Sequence, residues 1–259
     1  MDLQLEGKHV VVTGASKGIG LAIATRFARE GALPTLVSRS ADLLDSAAEA
    51  LHRETGVQAK THAADLSTAE GIESLMTAVG TVDILVNNAG AIPGGGLADV
   101  SDERWRQAWE LKLFGYINLV RAMLPRMEER RSGVISNIIG MAGHAPRAEY
   151  ICGSTANAAL MAFTQAVGGT SPRRGVRVFG INPSPTRSDR MEGLMRGQAA
   201  KKWGDESRWM ELTTGLPFGR LTEPQEIADL TVFSCSPLAG YLSGTVINVD
   251  GGQSFASPA

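Results

Sequence analysis

The run Thr13-Gly14-Ala15-Ser16-Lys17-Gly18-Ile19-Gly20, near the start of the chain, has the residue types and spacing of a loop that holds a diphosphate. Gly14 permits a sharp turn after a strand. Gly18 lets the backbone approach a phosphate, and Gly20 lets the next helix pack tightly on that strand. A helix opening there offers free N–H groups and the positive end of its dipole to an anion. Ser16, Lys17 and Ile19 complete the cradle. A carboxylate ending the second strand would bind a ribose 2′-hydroxyl, whereas basic residues accept a 2′-phosphate. Ser38 stands at that place, Arg39 follows it, and Lys17 lies in the loop. Two cations with no opposing carboxylate favour NADPH over NADH. The alternative is that Lys17 and Arg39 are ordinary solvated charges.

These residues need strands and helices to place them. Apolar strand candidates run from His9 to Gly14, Pro34 to Arg39, Gln58 to Asp65, Val82 to Asn88, Gly133 to Ile139, Gly175 to Asn182 and Gly244 to Gly252. Helical patterns lie between them, including Gly18 to Glu30, Leu43 to Glu54, Asp102 to Glu129 and Tyr150 to Val167. Several strands are apolar without strict alternation, as parallel strands covered on both faces are. The alternation implies right-handed βαβ units and an α/β three-layer fold around a doubly wound, seven-stranded parallel sheet. The chain of 259 residues reads as a single domain, 1–259. Its net charge of -2 and lack of a basic stripe argue against a nucleic-acid partner, and no apolar run is long enough to span a membrane. Cys152 and Cys235 make no disulfide framework and fit a reducing, cytoplasmic setting. No metal is called for.

The glycine loop, then Asn87-Asn88-Ala89-Gly90, then Tyr150, then Asn182-Pro183-Ser184-Pro185, then Ser243-Gly244-Thr245 and Val249-Asp250-Gly251-Gly252, together resemble the short-chain dehydrogenase/reductase family. The resemblance covers nearly the whole chain and implies a Rossmann fold. It implies that Asn88, Ala89 and Gly90 lie beside the adenine and ribose, and that Pro183, Ser184, Thr186 and Ser188 lie along the nicotinamide. Asp65 and Leu66 fall where the family contacts the adenine; for Asp65 a plain helix cap is the other reading.

The same resemblance implies a tyrosine acid/base, a lysine four residues later, a carbonyl-polarising serine and an asparagine on the long preceding helix. Tyr150 matches the tyrosine. The lysine position holds Ser154, the serine position holds Gly140, and the asparagine position holds Lys112. A serine supplies hydrogen bonds and no charge. We therefore expect Lys112 to restore the missing cation and lower the pKa of Tyr150 directly or through water, while Ser154 and Asn157, on the tyrosine's helix face, hold the ribose. His144 is either a substrate donor or simply solvated. Tyr116, one turn beyond Lys112, is a lesser catalytic candidate and otherwise core or interface.

After Ser188, the segment at about 190–215 carries Met191, Leu194, Met195, Trp203, Trp209 and Met210. Such side chains suit a lid over a bulky, apolar small-molecule substrate, or equally a packed appendage. The flexible run Ala91-Ile92-Pro93-Gly94-Gly95-Gly96, beside the cofactor site, is expected to shape the pocket. Ala156, Ala158, Ala159, Ala162, Gly168 and Gly169 make a small-residue run that implies close backbone contact. The family resemblance implies a homodimer or homotetramer. The leading expectation is an NADPH-dependent oxidoreductase interconverting a carbonyl and an alcohol with an altered catalytic tetrad. The alternatives are a catalytically silent NADPH-binding protein and a non-redox enzyme using the same cleft.

Overall fold

The computed structural model describes residues 1–255. Seven parallel strands pair in the order β3-β2-β1-β4-β5-β6-β7. They are β1 (His9–Thr13), β2 (Leu33–Ser38), β3 (Lys60–Ala63), β4 (Ile84–Asn87), β5 (Gly133–Ile138), β6 (Val176–Pro183) and β7 (Val246–Val249). This is the doubly wound Rossmann-type sheet that the sequence implies. The strands β3, β4 and β7, of four residues each, are shorter than their expected runs.

The helices are α1 (Gly18–Arg29), α2 (Ala41–Thr55), α3 (Ala69–Ala78), α4 (Asp102–Trp109), α5 (Gly115–Glu129), α6 (Ile151–Gly168), α7 (Asp189–Trp203) and α8 (Pro224–Cys235). Alternate strand residues face opposite helical layers. Val10 and Val12 join Ile23 and Phe27 of α1, Leu44 of α2 and Val232 of α8. Val11 joins Leu75 of α3 and Leu119 and Met123 of α5 on the other side. That two-sided burial explains why the inner strands read as continuous apolar runs. The long run from Asp102 to Glu129 is one helical path with a π-helical turn at Glu110–Phe114 between α4 and α5. Gly115 opens α5 where a Cβ would stand 2.9 Å from the Leu66 carbonyl oxygen.

The small-residue run of α6 has an internal use at one end. A Cβ on Gly168 would overlap the Val178 carbonyl, so this glycine lets α6 cross β6 closely. Ala158, Ala159 and Ala162 remain exposed. At the far end of α8, the half-buried Arg177 guanidinium donates to the carbonyls of Ser234 (2.9 Å), Cys235 (2.9 Å), Ser236 (3.1 Å) and Leu242 (3.1 Å). Ser234 and Cys235 lie in the last turn of α8, Ser236 also accepts from the Ala239 N–H (3.2 Å), and Leu242 lies beyond the helix. Arg177→Leu removes the donors that these carbonyls share and lowers the unfolding free energy by about 2–3 kcal/mol. Urea denaturation checks this, and an unchanged midpoint with an unchanged slope counts against it.

Candidate active site

The cleft lies at the carboxyl ends of β1 and β4, where the strand order reverses. Gly14 and Gly18 take left-handed backbone angles, φ 65° and 59°. A Cβ on Gly20 would overlap the Gly14 carbonyl oxygen, whereas no atom lies near the open side of Gly18. Side-chain hydroxyls cap α2, α3, α4 and α7 through Ser40, Thr68, Ser101 and Ser188. The start of α1 has no side-chain cap and no acidic residue in its first turn. Its N–H groups are therefore available to an anion, and the cradle fits a dinucleotide diphosphate. Ser16 is half-buried beside it, Lys17 is exposed, and Ile19 packs onto the core beneath.

The two strand ends are tied together. The Thr13 hydroxyl accepts from the backbone N–H of Asn88 (2.9 Å) and of Ala89 (3.0 Å). The Asn88 amide donates to the carbonyls of Thr13 (3.0 Å) and Gly14 (3.2 Å). Gly90 then passes so close to Lys112 that a Cβ would stand 2.8 Å from the lysine Cδ. At the end of β2, Ser38 donates to the Ser40 carbonyl, and Arg39 is exposed. The Asp65 carboxylate accepts from the hydroxyl (2.7 Å) and N–H (3.0 Å) of Ser67, which hold its pKa down, with Arg39 adding to the effect. Thr68, not Asp65, caps α3, so the cap reading of Asp65 is corrected: it closes the turn before the helix. Leu66 is buried beside it.

The catalytic candidates do not sit as the sequence implies. Tyr150 is not inside α6 but at its N-cap, with φ -140° and ψ 38°. Its ring folds forward over Gly153. A Cβ on Gly153 would overlap the ring and stand 2.7 Å from the phenol oxygen. Ser154 is corrected too. Its buried hydroxyl accepts from the Arg147 N–H (3.0 Å) and donates to the Arg147 carbonyl (3.3 Å), closing the preceding loop rather than facing a ribose. The cleft-facing pair of this helix is Gly153 and Asn157, one turn apart. A Cβ on Gly140 would stand 2.9 Å from the Asn157 side-chain nitrogen, and the Asn157 side-chain oxygen is buried without a partner.

Lys112 lies in the π-helical turn and is buried. Its amine donates to the Ile138 carbonyl (2.7 Å) and to the Tyr116 hydroxyl (3.0 Å), which itself donates to Ile138 (3.0 Å). Among the described residues no hydrogen bond joins Lys112 to Tyr150, so of the two expected routes, direct and through water, the direct one is not made. Burial first, then the charge of Arg190, pulls the Lys112 pKa down to about 7. Tyr116 is pushed well above its ordinary range by burial alone. Burial also raises Tyr150, and Arg190 opposes that rise. Arg190, in the first turn of α7, donates through Nη2 to the Ile92 carbonyl. Sequence reasoning missed it. The available signal was a basic residue at the positive end of a helix, where the dipole disfavours it.

The rest of the wall is built from loops. The Gly95 N–H donates to the Glu149 carbonyl (2.8 Å), so the glycine segment docks on the residues just before Tyr150. His144 is exposed. Pro183 ends β6, the Ser184 and Thr222 hydroxyls bond to each other, and the Thr186 hydroxyl donates back to the Ser184 carbonyl (2.8 Å). The Ser188 hydroxyl accepts from Met191 N–H (3.2 Å) as the α7 cap. Beyond it, Met191, Met195, Trp203 and Trp209 pack on one another and on Leu221, while Leu194 and Met210 are exposed.

The short chain dehydrogenase family model matches residues 8–199. The chain belongs to that family. Its sequence is 35% identical to a 3-oxoacyl-acyl-carrier-protein reductase of Vibrio cholerae, covering 97% of this chain and 99% of the relative. It is 30% identical to the 7alpha-hydroxysteroid dehydrogenase of Escherichia coli strain K12, covering 97% and 96%. The L-sorbose reductase of Gluconobacter frateurii, solved with NADPH and L-sorbose, superposes with a TM-score of 0.92 at 33% identity, covering 99% of this chain and 100% of that one.

The lowered Lys112 pKa has a thermodynamic signature. The unfolded chain holds this proton up to its ordinary pKa of 10.5, whereas the folded chain releases it from about 7. Between those values the unfolded state binds more protons, so stability rises with pH. Relative to Lys112→Met, the natural protein gains up to about 1.4 kcal/mol of unfolding free energy per pH unit above neutrality. Urea denaturation of both proteins at pH 7 and pH 9 measures it; parallel pH dependence would contradict the assignment.

Proposed function

We propose that this protein is an NADPH-dependent oxidoreductase that interconverts a carbonyl and an alcohol, with Tyr150 as the proton-exchanging group. The observation that carries the reading is the phenol of Tyr150, folded over Gly153 in the cluster whose Ile92 carbonyl holds the Arg190 guanidinium. The bound dinucleotide supplies or accepts the hydride. Gly14, Ser16, Lys17, Gly18, Ile19 and Gly20 hold its diphosphate. Ser38, Arg39 and Lys17 receive the 2′-phosphate, and Asp65 and Leu66 flank the adenine. Asn88, Ala89 and Gly90 line the ribose, and Pro183, Ser184, Thr186 and Ser188 line the nicotinamide side. NADPH is favoured by the absence of a carboxylate at the end of β2 and by the NADPH named with the sorbose reductase.

In this reading the tetrad is altered. Gly140 brings no polarising hydroxyl, and the cleft face of α6, with Gly153 and Asn157, brings no lysine. Lys112 anchors the end of β5 through Ile138 and Tyr116. The helical segment at about 190–215 is a substrate cover whose own apolar cluster keeps it folded, and it suits a bulky, apolar carbonyl compound. One feature favours a second reading, a silent NADPH-binding protein: the net shift of the Tyr150 pKa is upward, away from the value a base needs at neutral pH.

NADPH fluorescence separates the two. The protein binds NADPH, and Arg39→Ala weakens that binding while leaving NADH binding within about twofold, because one charge-assisted phosphate bond is lost. On a panel of ketones and aldehydes the cofactor is consumed, and Tyr150→Phe reduces consumption by about 100-fold or more. Binding without turnover across the panel establishes the silent reading instead.

A further inference from the structure

Arg190 stands in an electrostatically poor place on its own helix. Ser188 caps α7, and Arg190 follows in the first turn, at the positive end of the dipole. A lysine or arginine is stabilised at the opposite end of a helix, so something beyond α7 holds this one. Its side chain leaves the helix and reaches the Ile92 carbonyl on the loop after β4, 98 residues away in sequence. Ile92 is buried in the cluster that also takes in Cys152, Trp109 and the ring of Tyr150. One N–H of the guanidinium is engaged by Ile92, and the group has further donors in a fixed plane. Through Ile92 the guanidinium is held against the cluster that contains Tyr150, and its charge opposes the burial-driven rise of the phenol pKa.

The groups bearing on the phenol are few. Arg190 acts from α7 and Cys152 from α6, and the cysteine works in the opposite sense. Lys112, from the π-helical turn, bears on Arg190 and is itself held by Ile138 and Tyr116. Lys112 and Arg190 act on each other electrostatically, and of the two it is Arg190 that acts on the phenol. An arginine keeps its charge at any pH of interest, whereas the Lys112 charge is half lost near pH 7.

We infer that Arg190 is the positioning residue that activates Tyr150, so that α7 carries to the phenol a cation that α6 does not supply. This rests on the oxidoreductase reading above. In the reducing direction a hydride forms the new C–H bond at the carbonyl carbon. The Tyr150 O–H bond breaks, its proton passes to the carbonyl oxygen, and a phenolate remains. The Arg190 guanidinium stabilises that phenolate until water returns a proton. In the oxidising direction the same phenolate removes the alcohol proton. The site is electrostatically complete only with α7 seated on the Ile92 loop, which couples closure over the substrate to proton transfer.

The test begins without turnover. The chain has three tyrosines, so the ultraviolet absorbance of Tyr150 phenolate is obtained by subtracting the titration of Tyr150→Phe. The midpoint in the natural protein lies at least about one pH unit below that in Arg190→Met, and Arg190→Lys restores most of the difference. Steady-state kinetics on the protein with NADPH then shows kcat falling about 100-fold or more at pH 7 in Arg190→Met. The alkaline limb of its pH profile moves up by the same interval, and the NADPH Kd stays within about twofold. Equal phenolate midpoints in the natural protein and Arg190→Met overturn the inference. A loss of kcat with an unmoved pH profile and no rescue by lysine also overturns it, because it marks a merely structural role. A shifted midpoint in a protein that reduces no carbonyl sustains the Arg190–Tyr150 coupling and rejects the oxidoreductase reading.

Discussion

The Thr13 hydroxyl and the Asn88 amide bind the ends of β1 and β4 into one unit, and the cleft is referenced to that clamp. Thr13 is fully buried and accepts two backbone N–H groups from the segment that follows β4. Asn88 returns two bonds to the chain entering the glycine loop. The four bonds fix the loop before α1 against the segment that leads to Gly90, Ile92 and the glycine wall. A side chain on Gly20 would collide with both partners of the clamp, the Gly14 carbonyl and the Asn88 amide. The tight loop and the open helix start therefore depend on the same small set of contacts.

Charge is arranged around this frame in an unusual way. Burial raises the phenol of Tyr150 and lowers the amine of Lys112, so burial alone disfavours the charged form of each. The guanidinium of Arg190 is common to both. It pulls the phenol down and pushes the amine further down, which is the behaviour of a fixed positive charge between a potential anion and a second cation. The tyrosine and the arginine reach the cleft from a helix cap and a helix first turn, both close to loops. Such positions adjust more readily than the middle of a packed helix.

Much of the fold was legible in the sequence because its constraints are local. Gly14, Gly18 and Gly20 occupy positions where backbone angle or contact excludes a side chain, so their spacing survives as a readable pattern. The inner strands were legible because both of their faces are buried. Helices α3 and α8 left weaker marks, and the π-helical turn at Lys112 left none, because a run of helical periodicity does not reveal one added residue in a turn. The site was harder to read. Tyr150 and Ser154 share a helix face only if both lie within the helix, and the helix begins one residue after Tyr150. The cap geometry turns Ser154 toward Arg147 and gives the cleft face to Gly153 and Asn157. Arg190 could not be assigned from spacing, since its partner lies on a distant loop.

The central claim is that the Tyr150 phenol works from the cap position, in space that Gly153 leaves open. Gly153→Ala tests it most directly. The added methyl meets the far end of a movable ring rather than backbone, so the protein folds and the hydroxyl is displaced. This variant binds NADPH as the natural protein does and loses carbonyl reduction by about 100-fold or more. Carbonyl reduction at the natural rate in Gly153→Ala would contradict it.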